Sequence, residues 1–343
     1  MQNAPDKRPI LNKTTRPVRT ASSSILNSPF SLLLSLFLAA CSFGADSRED
    51  ALAARERAVA EKEHALESLR ADVEQLKNQL TGELDQIRRQ QKLHADNEKR
   101  GPFPEVRADR VIVVDAKTGD ILLEKNPDKR GPVASTQKLL TSLIISESDN
   151  LEDYLTVEAP DIDCAPVRIG LQPGDQYQRI QLLTALLVKS SNDIAQALAR
   201  DNAGSIEAFV DKMNKRAAAL GMADSHFVNP HGLPADDQYS TARDMARLAL
   251  ADDANPIIRD IIDVRRFDFP KADGRVLRLE NTNRVLHSYP PCDGMKTGYT
   301  QLAGHCLICS GEKDGRRRIV VILNDNESVW KDAEALLAWS LRA

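Results

Sequence analysis

The sequence predicts an α+β protein, in which helices cover an antiparallel five-stranded sheet and a coiled-coil helix precedes it. Two apolar runs joined by a turn, at residues 110–115 and 121–124, are typical of a β-hairpin. Three further runs lie within residues 293–323, and helical patterns separate them from the hairpin. This order predicts one sheet made of a hairpin and a three-stranded meander, with a helical cluster beside it.

Composition excludes one class of partner. The 343 residues carry a net charge of -4 with both signs interspersed, and aromatic residues make up only 4%. We therefore expect no nucleic-acid partner.

Cys306 and Cys309 form a C-x-x-C pair, but a strand would place them on opposite faces. We expect buried structural cysteines there and no metal site.

Residues 1–40 have the pattern of an export signal. A basic stretch is followed by an apolar run at residues 30–40 that is too short to span a bilayer. Leu38-Ala39-Ala40-Cys41 resembles a bacterial lipobox, in which the cysteine is lipidated and becomes the mature N-terminus. Ser42 replaces the aspartate that tends to retain enterobacterial lipoproteins at the inner membrane, so the resemblance implies a periplasmic protein anchored to the outer membrane. An ordinary signal with a chance cysteine is the alternative.

Residues 41–100 are predicted to form a lipid anchor and a coiled-coil stalk. Apolar residues recur every seven positions. They are Leu52, Val59, Leu66, Val73, Leu80 and Ile87. A coiled coil implies a homo-oligomer, whereas Arg55 and Lys62 in the second seam position leave a single solvated helix as the alternative. Gly101-Pro102 breaks the helix and marks the start of a globular domain at residues 101–343.

Within this domain, helical patterns lie between the hairpin and the meander, and a closing helix follows the meander. The helices are predicted at residues 135–145, 180–198 with an interruption at 189–193, 206–220, 244–251, 256–264 and 328–341. The meander strands are predicted at residues 293–299, 304–310 and 317–323.

A candidate nucleophile lies where the first of these helices begins. Free backbone N–H groups and the helix dipole at Ser135 favour a developing anion. Lys138 follows three residues later, within hydrogen-bond reach of the Ser135 hydroxyl. As a base it must be neutral, which requires a pKa lowered from ~10.4 towards ~7–8 by burial or a second cation. Ser310 and Lys313 repeat this spacing in a stretch that is typical of a turn. The spacing alone therefore does not identify the nucleophile.

Two further motifs support the pair. Ser190-Ser191-Asn192 lies where a helical pattern breaks, and Lys296-Thr297-Gly298 lies on a predicted strand. Each motif also occurs a second time in the chain, as a decoy outside the expected setting. These decoys are Ser148-Asp149-Asn150 and, in the hairpin turn, Lys117-Thr118-Gly119. A helix-start Ser-x-x-Lys, then Ser-x-Asn, then Lys-Thr-Gly on a strand is the pattern of penicillin-binding, serine-acylating peptidases.

Residues 106–343 resemble the D-alanyl-D-alanine carboxypeptidase family of low-molecular-mass penicillin-binding proteins, which implies a fold of the β-lactamase and DD-peptidase type. Other segments that carry the resemblance are Met213-Asn214, Asn229-Pro230-His231-Gly232-Leu233, Ser240-Thr241-Ala242, Asn281-Thr282-Asn283 and Asp293-Gly294-Met295. The chain departs from the family at Gln238, often histidine, and at Thr282, where some relatives have an arginine near the substrate carboxylate. Arg284 is close by in sequence. We expect no counterpart of the β-rich C-terminal domain of several relatives.

The resemblance implies a chemical role for four residues acting on peptidoglycan stem peptides. Ser135 would attack the carbonyl of the penultimate D-alanine, and Lys138 would be its base. Backbone N–H groups of Ser135 and Tyr299 would form the oxyanion hole. Ser190 would relay a proton to the leaving amine.

It also implies a substrate-binding role for four others. Asn192 would hold the substrate amide, and Lys296 with Thr297 would receive the terminal carboxylate. Lys296 would also lower the pKa of the base. Gly298 would let the peptide add beside the strand. β-Lactams would be inhibitors, and neither a metal nor an organic cofactor would be required.

Other functions remain open. A DD-endopeptidase is favoured by Thr282 and by the expected lack of a C-terminal domain. A β-lactamase needs a deacylating glutamate, and no Glu-x-x-x-Asn loop follows Asn192. A Ser-His-Asp site would use His231 with Asp193 or Asp244. An inactive cell-wall tether would have lost the motifs that are intact here.

Two cysteines outside the C-x-x-C pair are also left open. Cys164 and Cys292 could form a disulfide in the oxidising periplasm, and the sequence does not show whether they meet.

Overall fold

The computed structural model describes residues 29–148 and 150–342, and only the secondary structure for residues 29–46. The chain divides into two units, with the boundary between Gln86 and Ile87. Residues 1–28 of the predicted signal peptide and Asp149 of one decoy motif lie outside the described residues. In the described ranges, no helix combines the length and apolar character that crossing a membrane needs.

The helix α1 (Pro29–Arg100) ends where the sequence predicts. Gly101 follows it with φ of 80°, a left-handed conformation that suits glycine at a helix end. The apolar seam residues of the predicted coiled coil are exposed in this single chain, for example Leu52 and Val73, each at 59%. The coiled coil and its oligomer therefore stay predictions, as do the domain boundaries.

The remaining elements are strands, helices and 3₁₀ turns. The strands are β1 (Arg110–Asp115), β2 (Ile121–Lys125), β3 (Tyr154–Thr156), β4 (Gln176–Gln178), β5 (Arg266–Pro270), β6 (Val276–Glu280), β7 (Cys292–Thr300), β8 (Gly304–Lys313) and β9 (Arg316–Asp325). The helices are α2 (Lys138–Ser146), α3 (Arg179–Lys189), α4 (Asn192–Ala203), α5 (Ile206–Ala219), α6 (Ala242–Ala254), α7 (Pro256–Ile262), α8 (Arg284–Ser288) and α9 (Val329–Ser340). Two 3₁₀ turns lie at Ala134–Gln137 and Ala159–Ile162.

An antiparallel five-stranded sheet organises the globular unit, in the order β2-β1-β9-β8-β7. This confirms the predicted fold class. Side chains of β1 alternate between two apolar clusters, with Val111 and Val113 on one face and Ile112 and Val114 on the other. The first face packs against α9, and the second packs against helices that include α2 and α6. The sheet is therefore buried on both faces.

The cysteines of the C-x-x-C pair lie on β8 and point to opposite faces of the sheet, since Cys306 belongs to one cluster and Cys309 to the other. Cys164 and Cys292 are free thiols, so the disulfide that the sequence left open is not formed.

One local prediction was wrong. Residues 310–313 do not form a turn, because β8 continues through Lys313 and the turn follows at Asp314 and Gly315. Ser310 is fully buried there, and its hydroxyl donates to Asp293 Oδ1 at 2.6 Å. The sequence analysis also missed α8 and the two-stranded sheets β3–β4 and β5–β6.

Candidate active site

The candidate nucleophile Ser135 lies in the 3₁₀ turn that leads into α2. In such a turn, side chains three residues apart are eclipsed, so Lys138 is directed over Ser135. Lys138 Nζ lies 2.8 Å from Ser135 Oγ. The structure thus brings the predicted pair together, through a 3₁₀ turn instead of the expected α-helical start.

A buried arginine holds the segment that precedes this turn. Arg110 on β1 is 2% exposed, and its guanidinium donates to the carbonyl of Pro132 at 2.9 Å. A Cβ on Gly131 would lie 3.0 Å from the Arg110 guanidinium, so glycine leaves room for this contact. Gly131 also pairs with Ser240 through backbone hydrogen bonds. The sheet therefore positions the loop that carries the nucleophile.

Two glycines let neighbouring backbone approach Ser135 closely. A Cβ on Gly298 of β7 would lie 2.8 Å from the Ser135 nitrogen. A Cβ on Gly232 would lie 2.1 Å from the Ala134 oxygen, and Gly232 has φ of 86°. Any larger side chain at either position would displace the 3₁₀ turn that carries Ser135, which is called the nucleophile turn below. Ala134 itself has a positive φ of 49°, which is a strained conformation for alanine.

The Lys138 amine is completely buried and has three oxygen neighbours. Besides Ser135 Oγ, they are Asn192 Oδ1 at 2.8 Å and the carbonyl oxygen of His231. Asn192 is oriented by its Nδ2, which donates to the Ala165 carbonyl at 2.9 Å. Both other neighbours can therefore only accept. A neutral amine has two hydrogens for these acceptors, and its lone pair then faces the Ser135 hydroxyl.

Burial and a second lysine set the protonation of this amine. Burial lowers the pKa of Lys138 well below its usual value of 10.5, and the charge of Lys296 lowers it further. Burial also lowers the pKa of Lys296, to about 7. Both effects on Lys138 favour the neutral form of the amine beside the candidate nucleophile.

A cleft of about 700 Å³ opens over these groups. Among its lining residues are six of the predicted site: Ser135, Ser190, Asn192, Thr297, Gly298 and Tyr299. Lys138 and Lys296 are buried, at 0% and 1% exposure. Ser190 ends α3 with a positive φ of 68°, and in the described part of the chain its hydroxyl makes no hydrogen bond. This hydroxyl can therefore contact a substrate.

The Ser-His-Asp alternative does not fit the geometry. Burial and the nearby Lys138 charge lower the pKa of the His231 ring to about 3. Its Nδ1 accepts a hydrogen bond from the Leu233 backbone at 3.2 Å, and its carbonyl, not its ring, contacts the Lys138 amine. The carboxylate of Asp193 accepts instead from the Ser191 hydroxyl at 2.7 Å.

Several contacts around the cleft were not predicted from the sequence. Thr282 and Thr297 share a hydrogen bond between their hydroxyls at 2.6 Å. The guanidinium of Arg284 lies 5.4 Å from the Trp330 ring centroid, and both residues line the cleft. Arg110 and Gly232 were also missed as supports of the nucleophile turn. Nothing in the local sequence around Arg110 or Trp330 points to the site, because both reach it through tertiary packing.

Metal-binding clusters are absent from the described ranges, where no three His, Cys, Asp or Glu side chains gather in a suitable arrangement.

Comparisons with known proteins agree with this architecture. The profile of the Peptidase S11 family, described as D-alanyl-D-alanine carboxypeptidase, matches residues 96–327. The D-alanyl-D-alanine carboxypeptidase DacF of Bacillus subtilis is 32% identical over 66% of this chain, which spans only 60% of DacF. A D-alanyl-D-alanine endopeptidase of Escherichia coli is 29% identical over 69% of this chain and 78% of its own length.

A solved structure shares the fold. The D-alanyl-D-alanine carboxypeptidase of Mycobacterium tuberculosis superposes with a TM-score of 0.66 and 31% identity, covering 69% of this chain and 92% of that one. From the matched profile, the relatives and the shared fold, we conclude that this chain belongs to the D-alanyl-D-alanine carboxypeptidase family.

Proposed function

We propose that this chain is a serine-type D-Ala-D-Ala carboxypeptidase, which removes the terminal D-alanine from peptidoglycan stem peptides through an acyl-enzyme. One observation carries the proposal: the buried Lys138 amine lies 2.8 Å from Ser135 Oγ. A buried, neutral lysine is the base that a serine nucleophile needs when histidine is absent.

Acylation follows from this contact. Lys138 takes the hydroxyl proton while Ser135 Oγ bonds to the carbonyl carbon of the penultimate D-alanine. The oxyanion that forms accepts hydrogen bonds from the backbone N–H groups of Ser135 and Tyr299, each worth about 3–4 kcal/mol. The peptide C–N bond then breaks, and Ser190 relays the proton held by Lys138 to the amine of the leaving D-alanine. Water hydrolyses the resulting ester and frees Ser135.

The charges of the cleft favour a substrate that ends in a carboxylate. Lys189 and Arg284 line it, and Lys296 lies buried at its base. Among the described lining residues, Glu280 is the only carboxylate, and it is exposed and lies 3.5 Å from Arg266. We therefore favour release of a terminal D-alanine over cleavage of cross-links.

Thr282 supports the endopeptidase as the second candidate. It stands where some relatives have an arginine near the substrate carboxylate, and its hydroxyl shares a hydrogen bond with that of Thr297. Arg284 lies in the same cleft and supplies a cation in its place. Asn192 would hold the substrate amide and Thr297 the carboxylate, as the family resemblance implies.

We also infer a location and an assembly. The lipobox predicts lipidation of Cys41 and attachment to the outer membrane, with the catalytic domain in the periplasm. The exposed apolar seam of α1 would be covered by pairing with a second copy in a coiled coil. A stalk of about 45 helical residues, roughly 70 Å at ~1.5 Å per residue, would space the catalytic domain towards the cell wall.

Penicillin should acylate Ser135. Intact-mass analysis after incubation with penicillin is expected to show one adduct on the unmodified chain and on Ser310→Ala, the matched control. Ser135→Ala should show none, and Lys138→Ala should acylate about 10²–10⁴-fold more slowly, because the general base is lost. An adduct that persists on Ser135→Ala would overturn the assignment of the nucleophile.

Two substrates distinguish which bond the enzyme cuts. Given a monomeric pentapeptide and a cross-linked dimer, the purified protein should release D-alanine from the pentapeptide faster than it converts the dimer to monomers. The charged cleft favours the substrate with the free carboxylate. The reverse ranking would move the assignment to the endopeptidase, and release from neither substrate would indicate an inactive tether.

Lipidation can be tested at the membrane. In a Gram-negative host, the native chain should remain with outer-membrane fractions after a high-salt wash, since each buried CH₂ of an acyl chain contributes ~0.8 kcal/mol. Cys41→Ser should lose this attachment, whereas Ser42→Ala should keep it. Salt-resistant membrane binding of Cys41→Ser would show that this cysteine is not the anchor.

A further inference from the structure

A second cavity, of about 680 Å³, lies in the globular unit and shares no lining residue with the active-site cleft. Its walls come from the last turns of α1, the β1–β2 hairpin and β9. The C-terminal end of α1 is held in place by two contacts. Asn97 Nδ2 donates to the Leu122 carbonyl at 3.2 Å, and Leu93 packs against the apolar cluster that includes α9.

Positive charge dominates this cavity. Six cationic side chains line it, against three carboxylates. The carboxylates have partners already: Asp115 is bound to Arg318, Asp120 accepts from the Thr118 hydroxyl at 2.7 Å, and Asp96 lies 3.6 Å from Lys99.

Three of the cations lack a carboxylate partner in the described ranges. They are Arg89, Lys92 and Arg316. Since the protein as a whole has a net charge of -4, a local excess of cations is unexpected at this site.

A fourth cation is buried and incompletely bonded. Arg100 is 7% exposed, and its Nη1 donates to Asn97 Oδ1, but its Nε has no hydrogen-bond partner. Burial lowers its pKa, and the charges of Arg318 and Arg316 lower it further. A buried donor without an acceptor is costly, and so is the repulsion among these guanidinium groups. An anion in the cavity would relieve both.

We propose that this cavity is a binding site for a phosphate group, either free or part of a small organic ligand. Guanidinium groups match the tetrahedral oxygens of phosphate by paired N–H donors, which favours phosphate over a point-like anion such as chloride. The volume lies in the range of small-molecule sites. Leu93 and Leu122 add an apolar wall that can cover the organic part of a ligand.

The test measures binding by isothermal titration with three probes: inorganic phosphate, glycerol phosphate and the dicarboxylate malonate. The site variant is Lys92→Gln with Arg316→Gln, because neither side chain has a carboxylate partner whose loss would unsettle the fold. The control variant, Lys331→Gln with Lys215→Gln, removes two exposed charges outside the cavity. All chains are full length and are first compared by thermal unfolding.

The native chain should bind a phosphate probe with one-to-one stoichiometry. The affinity of the site variant for the phosphate probe should be lower by about tenfold or more. The affinity of the control variant should be unchanged. Tighter binding of glycerol phosphate would identify an organic phosphate as the ligand, and equal binding would identify free phosphate; both results support the site. Absence of saturable binding, an equal loss in the control, or malonate binding as tight as phosphate would overturn the proposal.

Discussion

The candidate active site depends on a buried lysine amine whose pKa the protein lowers. Removal of Lys138 from water disfavours its charged form, and Lys296 adds electrostatic repulsion from the neighbouring strand. Two carbonyl-type oxygens, from Asn192 and His231, then use both amine hydrogens. The lone pair is left facing Ser135, and in the proposed mechanism this contact makes the hydroxyl a nucleophile without histidine.

This contact requires three separate parts of the chain to meet at short distances. The turn with Ser135 is held by Arg110 from the first strand, while β7 passes beside it at Gly298. The loop with His231 approaches from the other side at Gly232. Glycine at these two positions is thus a steric requirement of the nucleophile turn. For Gly298 this adds to the role expected from sequence, which was to let the substrate peptide approach the strand.

Much of this arrangement could be predicted from sequence, because its parts have local signatures. The apolar runs located the five strands, and Gly101 located the end of α1. The spacing of Ser135 and Lys138 indicated their contact. The left-handed turn at Ala134 and the support from Arg110 could not be predicted, since both arise from packing between segments far apart in sequence. Ser310 was misplaced for the same reason: β8 continues past it by pairing with β9, where local composition favours a turn.

The pH dependence of acylation by a β-lactam tests the central claim most directly. The rate should fall as pH falls through the pKa of Lys138, because protonation removes the base, and the midpoint should lie well below 10.5. In Lys296→Gln the midpoint should move to higher pH, since the repelling charge is gone. Lys138→Arg, which stays protonated, should be inactive throughout. A midpoint near 10.5, or acylation by Lys138→Arg at the native rate, would contradict the account.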